Sequence, residues 1–189
     1  MRLYLVRHPQ PLVDHDRCYG ATDLALAPLA LETVTANLML SLPQGLDIIS
    51  SPLQRCSQLA QMLAEKRACA LRLDARLVEM NFGRWEMQTW DQIARAEIDA
   101  WAEDVVNYRV GAGESVLQMA RRVADFYHDI CMQQQDQIVI CHAGTIRLLI
   151  ACQRGLGLQD AARYAASKPH PIAYGAVICL DVGRPACGV

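Results

Sequence analysis

No stretch of this sequence approaches the ~18 consecutive apolar residues that a bilayer-spanning helix needs. The apolar run at the start, within MRLYLVRHPQ, is too short for the core of a secretion signal, and Arg7 and His8 break it. A cytoplasmic protein without membrane contact is therefore expected. Charge of one sign is also missing: 18 Lys+Arg against 20 Asp+Glu leave a formal charge of -2. That excludes the basic footprint of a nucleic-acid binder, so any arginine cluster must be local and serve a small anionic ligand. No pair among the eight cysteines has C-x-x-C spacing, which leaves neither a zinc ribbon nor a thioredoxin-like motif. The thiols of Cys18, Cys56, Cys69, Cys131, Cys141, Cys152, Cys179 and Cys187 are expected to be buried and reduced. Internal repeats, low-complexity tracts and linkers are absent.

What remains is a globular composition, 52% apolar and 20% charged over 189 residues. It suits one domain, residues 1–189, around a single core. Short apolar runs predict strands at 3–6, 47–51, 69–73, 137–141 and 176–180. Helical spacing predicts helices at 29–40, with Pro28 in its first turn, and at 52–66, 114–132 and 145–156. The last is apolar apart from Arg147, Gln153 and Arg154. A further helix is expected at 91–106, inside a lid-like excursion over about 81–113. Strands alternating with helices imply an α/β layered fold with a largely parallel sheet.

Such folds bind ligands beyond the carboxyl ends of their strands. The residues there are Arg7-His8, Ser51-Pro52-Leu53-Gln54-Arg55 and His142-Ala143-Gly144, so two histidines and two arginines should converge on one rim. Taken singly, each has an ordinary reading: a hydrogen-bonded histidine at a strand end, a solvated arginine. Together they offer a nucleophile beside guanidinium groups that can grip a phosphate. Arg55 would sit near the anion-attracting end of a helix, and Ala143-Gly144 would let a ligand approach the backbone. In 77–86, Glu79 or Glu86 could serve as a general acid.

In order along the chain, Arg7-His8-Pro9, Ser51 to Arg55, the acid-bearing segment 77–86, Gly113-Glu114-Ser115 and His142-Ala143-Gly144 resemble the motifs of the histidine phosphatase superfamily, the phosphoglycerate mutase-like proteins. The resemblance implies a three-layer α/β sandwich with helices on both faces of a mostly parallel sheet. It implies a phosphohistidine on His8, a proton donor at Glu79, and a phosphate held by Arg7, Arg55 and His142. Ala143, Gly144, Gln10, Asp14, Tyr19 and Gly20 would complete the substrate site. The segment from Glu79 to Glu86, the loop from Tyr19 to Leu24 and the short chain look most like the α-ribazole phosphatases of cobalamin synthesis. Pro9 stands where the family usually has glycine, and Asp14 where it often has asparagine. The expected partner is a small phosphorylated metabolite, with no cofactor and no metal. The alternatives are a phosphatase of sugar phosphates or nucleotides, a mutase, and a non-catalytic phosphate-binding module.

Overall fold

Alternate residues of the central strands point to opposite faces, and each face finds its own core. In β1 (Arg2–Arg7) and β4 (Gln137–Cys141), Leu3, Leu5, Val139 and Cys141 enter one cluster. Val6, Ile138 and Ile140 enter the other, with Ile48 of β2 (Ile48–Ser50). Strands buried on both faces read as unbroken apolar runs, which is why these were legible. The structure, a computed structural model, describes residues 1–167 and 171–183. β3 (Leu71–Leu73) and β5 (Val177–Asp181) complete a sheet of order β3-β2-β4-β1-β5. All neighbours are parallel except β5, which runs antiparallel to β1.

Helices α1 (Pro28–Ser41) and α2 (Gln54–Arg67) pack on one face. The excursion carries α3 (Arg95–Glu103); α4 (Val116–Gln133), α5 (Ala143–Gln153) and α6 (Leu158–Ala166) belong to the opposite face. The expected layering is therefore present, with several corrections. α2 starts at Gln54, not Pro52, because Ser51 extends the strand by donating its N–H to Ile140 (3.0 Å). Its first turn is capped from a distance: Asp23 accepts the Gln54 N–H at 2.6 Å. α3 covers only part of the expected 91–106. α4 begins after Ser115, which forms a capping box with Gln118. α5 starts two residues early, directly after His142. α6 is an element that the sequence-based expectations lack; it buries Ala161, Ala162 and Ala165 on one face. Among the described residues no helix is long and apolar enough to cross a membrane. The thiols are free among the described residues, but only Cys18, Cys56 and Cys141 are buried as expected; Cys69, Cys131 and Cys152 are half-buried, Cys179 is exposed, and Cys187 lies outside the described residues.

Candidate active site

The register of the parallel strands brings the histidines to one level. Arg7 pairs with Cys141, and Ser50 with Ile140. The next residues, His8, His142 and Ser51, thus emerge together at the carboxyl edge. The His8 N–H donates to the Cys141 carbonyl (3.1 Å), and the two imidazole rings lie 5.0 Å apart, centroid to centroid. His8 is only 3% exposed. Its Nδ1 lies 2.6 Å from the Pro9 carbonyl. A carbonyl only accepts, so Nδ1 carries the proton and Nε2 keeps its lone pair. Burial, and then the charge of Arg55, push the His8 pKa down to about 3, so the ring is neutral near pH 7.

Behind it, His142 is fully buried and also held neutral by burial, with His8 and Arg55 adding to the effect. Arg55 Nε donates to its Nδ1 (3.3 Å), which leaves Nε2–H to donate to Ser51 Oγ (2.9 Å). Arg55 is itself fully buried, and donates further to the carbonyls of Thr22 (2.7 Å) and Gly20. Arg7 reaches the Ile172 carbonyl (2.5 Å) and stacks 3.8 Å from the Tyr174 ring centroid. Its Nε is buried without a hydrogen-bond partner among the described residues. Tyr174 in turn meets the Tyr19 hydroxyl at 2.9 Å.

Glu79 approaches from the segment before the excursion. One carboxylate oxygen accepts the Gly144 N–H in the first turn of α5 (2.9 Å), the other the Met80 N–H (3.0 Å). A β-carbon at Gly144 would collide with this carboxylate, so glycine is required for the approach. Arg122 fixes the segment that presents Glu79. It pairs with Glu114 (2.8 Å) and donates to the carbonyls of Arg76 (2.7 Å), Val78 (2.6 Å) and Glu79 (3.3 Å).

Arg7, His8, Tyr19, Arg55, Glu79, Ala143 and Gly144 line one cavity of about 400 Å³. Its other wall is apolar, with Met80, Phe82, Trp101, Met119 and Leu148; Phe82 and Trp101 come from the excursion. Arg147 lines it too, half-buried, donating to the Tyr164 carbonyl (3.0 Å) and forming no ion pair among the described residues. Burial lowers its pKa.

Some expected site residues lie elsewhere. Gln10 and Asp14 line a neighbouring cleft of about 600 Å³. After Pro9 the chain turns away: Pro11 bridges to Leu26, Leu12 donates to the Ala25 carbonyl (2.9 Å), and exposed Asp14 pairs with Arg17 at 3.2 Å. Gly20 touches Arg55 through its carbonyl and is not on the cavity wall. His142 supports the rim from behind. Glu86, the other carboxylate considered as acid, is outside the cavity and saturated by donors. Sequence reasoning missed Arg122, Arg147, Phe82, Trp101 and Tyr174. Arg147 had a signal, a lone cation early in an apolar helix. Among the described residues no three His, Cys, Asp or Glu side chains gather as metal ligands.

A family model for the histidine phosphatase superfamily (branch 1) matches residues 3–174. A glucosyl-3-phosphoglycerate phosphatase of Mycolicibacterium vanbaalenii is 30% identical, over 84% of this chain and 76% of that one. An adenosylcobalamin/alpha-ribazole phosphatase of Escherichia coli is 28% identical, over 80% and 78%. The crystal structure of the alpha-ribazole phosphatase from Shigella flexneri superposes with a TM-score of 0.80, covering 98% of this chain and 92% of that one. At 23% identity that likeness speaks for the fold.

Proposed function

We propose, for a chain that belongs to the histidine phosphatase superfamily and is a phosphomonoesterase of small phosphate esters, a double displacement through His8. The observation that carries this reading is the His8 ring itself: neutral, with Nδ1–H anchored on Pro9 and the Nε2 lone pair left over, beside Arg7 and Arg55. Nε2 attacks phosphorus as the ester P–O bond breaks, and the leaving oxygen takes a proton from Glu79. Water then attacks the phosphohistidine, giving its proton back to Glu79; phosphate leaves and His8 returns to its starting form. The Pro9 carbonyl stabilises the positive imidazole of the intermediate. Arg7 and Arg55 neutralise the phosphoryl oxygens, and His142, behind the rim, assists through its Nδ1, which accepts from Arg55 Nε. Ala143 and Gly144 supply the backbone surface of the pocket, and Tyr19 its mouth. No step calls for a metal ion, and turnover should persist in excess chelator; loss restored by a divalent cation would overturn this.

For the substrate we propose α-ribazole 5′-phosphate. The apolar and aromatic wall of Met80, Phe82, Trp101, Met119 and Leu148 suits a flat aromatic base, and the likeness to the E. coli phosphatase supports it. Arg147 favours a second reading, an ester whose leaving group bears a carboxylate, as the name of the glucosyl-3-phosphoglycerate relative describes. Steady-state assays decide between them. kcat/KM for α-ribazole 5′-phosphate should exceed that for glucosyl-3-phosphoglycerate and 3-phosphoglycerate by about a hundredfold. The reverse order would give the site to the carboxylate class. Stoichiometric release of inorganic phosphate separates both from a mutase.

A further inference from the structure

Glu86 lies outside the cavity, yet four of its five donors belong to the loop that grips Arg55. Its oxygens accept the N–H groups of Gly20 (3.0 Å), Ala21 (2.9 Å) and Thr22 (3.1 Å), the Thr22 hydroxyl, and the Phe82 N–H (2.9 Å). The same loop turns two carbonyls, Gly20 and Thr22, toward the Arg55 guanidinium. One peptide group is shared: the Gly20–Ala21 unit donates its N–H to Glu86 and accepts from Arg55 with its carbonyl. A carboxylate on one end of a peptide polarises the carbonyl at the other, so the two hydrogen bonds strengthen each other. Arg55 needs such support. It is fully buried, forms no ion pair among the described residues, and bonds only to carbonyls and an imidazole. A buried cation held by neutral groups alone is costly and easily misplaced.

We propose that Glu86 is a positioning residue which, acting through loop 20–22, holds the Arg55 guanidinium where it binds the phosphoryl group. The inference rests on the phosphate role given to Arg55 above. It assigns Glu86 no contact with substrate, in contrast to a general acid. Its effect should therefore appear in phosphate affinity and depend on Arg55.

The test measures competitive inhibition by inorganic phosphate in four proteins: wild type, Glu86→Gln, Arg55→Ala and the double variant, each checked for folding by near-ultraviolet circular dichroism. Glu86→Gln should raise the phosphate Ki about tenfold, and should add almost nothing in the Arg55→Ala background. A merely structural Glu86 would lower the folded fraction and apparent kcat while leaving Ki unchanged. An unchanged Ki in folded Glu86→Gln, or an equal rise with and without Arg55, overturns the inference alone. An unchanged Ki in Arg55→Ala overturns the phosphate role of Arg55 and the inference with it. If Glu86→Gln does not fold, Thr22→Val, which removes one donor to Glu86, decides by the same ratios. There a rise of about threefold is expected, and an unchanged Ki overturns the proposal.

Discussion

On one side of the His8 cavity the groups stand at the carboxyl edge of the parallel strands; on the other, Phe82 and Trp101 hang from the excursion and its nine-residue helix, backed by Met119 of α4 and Arg147 and Leu148 of α5. His8, His142 and Arg55 are almost wholly buried and hydrogen-bonded to one another or to backbone carbonyls. Phe82, Trp101 and Arg147 are only partly buried. Gly83 and Gly111, with φ of 56° and 54°, let the two arms of the excursion touch backbone to backbone beneath this wall. The phosphate side is set by strand register and has little freedom. On the leaving-group side, Met80, Met119 and Leu148 belong to the core, while the partly buried Phe82, Trp101 and Arg147 can be exchanged with less disturbance to it. The contrast accounts for relatives that share the chemistry in name but differ in the ester named.

If the contrast holds, changes on the phosphate side affect every substrate, while changes on the wall affect only some. The largest effect belongs to His8. His8→Ala should keep the fold and lose turnover by roughly 10⁴-fold or more on all phosphomonoesters. Substantial turnover by a folded His8→Ala would dissolve the division.

Glu79 stands between the two sides and should separate substrates by their leaving group. In the burst phase, Glu79→Gln should slow phosphoenzyme formation from alkyl phosphates by about 10²–10⁴-fold and from p-nitrophenyl phosphate far less. Equal losses would remove Glu79 from the acid role. Gly144→Ala comes next. Its methyl group would displace the Glu79 carboxylate, so kcat on alkyl phosphates should fall by about 10²-fold with KM changed little. An unaltered kcat would mean that Glu79 need not occupy its present position. The smallest effect belongs to the wall. Trp101→Ala should raise KM for α-ribazole 5′-phosphate about tenfold and leave β-glycerol phosphate nearly unchanged. A uniform loss on both would show that the wall supports the phosphate side as well.

The same division explains which features could be read from the sequence. Arg7-His8 and His142 follow strands whose apolar runs are unmistakable, and a parallel sheet brings such residues to one edge, so their meeting is a consequence of topology. The sequence motif predicts Arg55 on the rim, although its helix starts later and its partners, the Gly20 and Thr22 carbonyls, are invisible in a one-dimensional pattern. Gln10 and Asp14 follow His8 closely in sequence, but the bridge between Pro11 and Leu26 carries them to another cleft. Glu86 resembled an acid by type; only its five donors reveal a different place in the site. Phe82, Trp101 and Tyr174 lie far apart along the chain and meet the cavity only through tertiary packing. The strand at 176–180 is legible in the sequence, but its antiparallel direction is set by pairing with β1; α6 goes unread although its buried alanines share one face.

The central claim is that a neutral His8, with Nδ1–H fixed on Pro9, attacks through Nε2. Rapid quenching of the wild-type enzyme with radiolabelled substrate, followed by digestion and identification of the modified atom, tests it directly. The label should be acid-labile and base-stable, on His8 Nε2. Because the folded pKa lies near 3, well below the ordinary imidazole value, protonation of His8 should not suppress labelling between about pH 8 and about pH 5. Label on another residue or on Nδ1, turnover without any labelled histidine, or labelling that dies away with a midpoint near pH 6.5 would contradict the account.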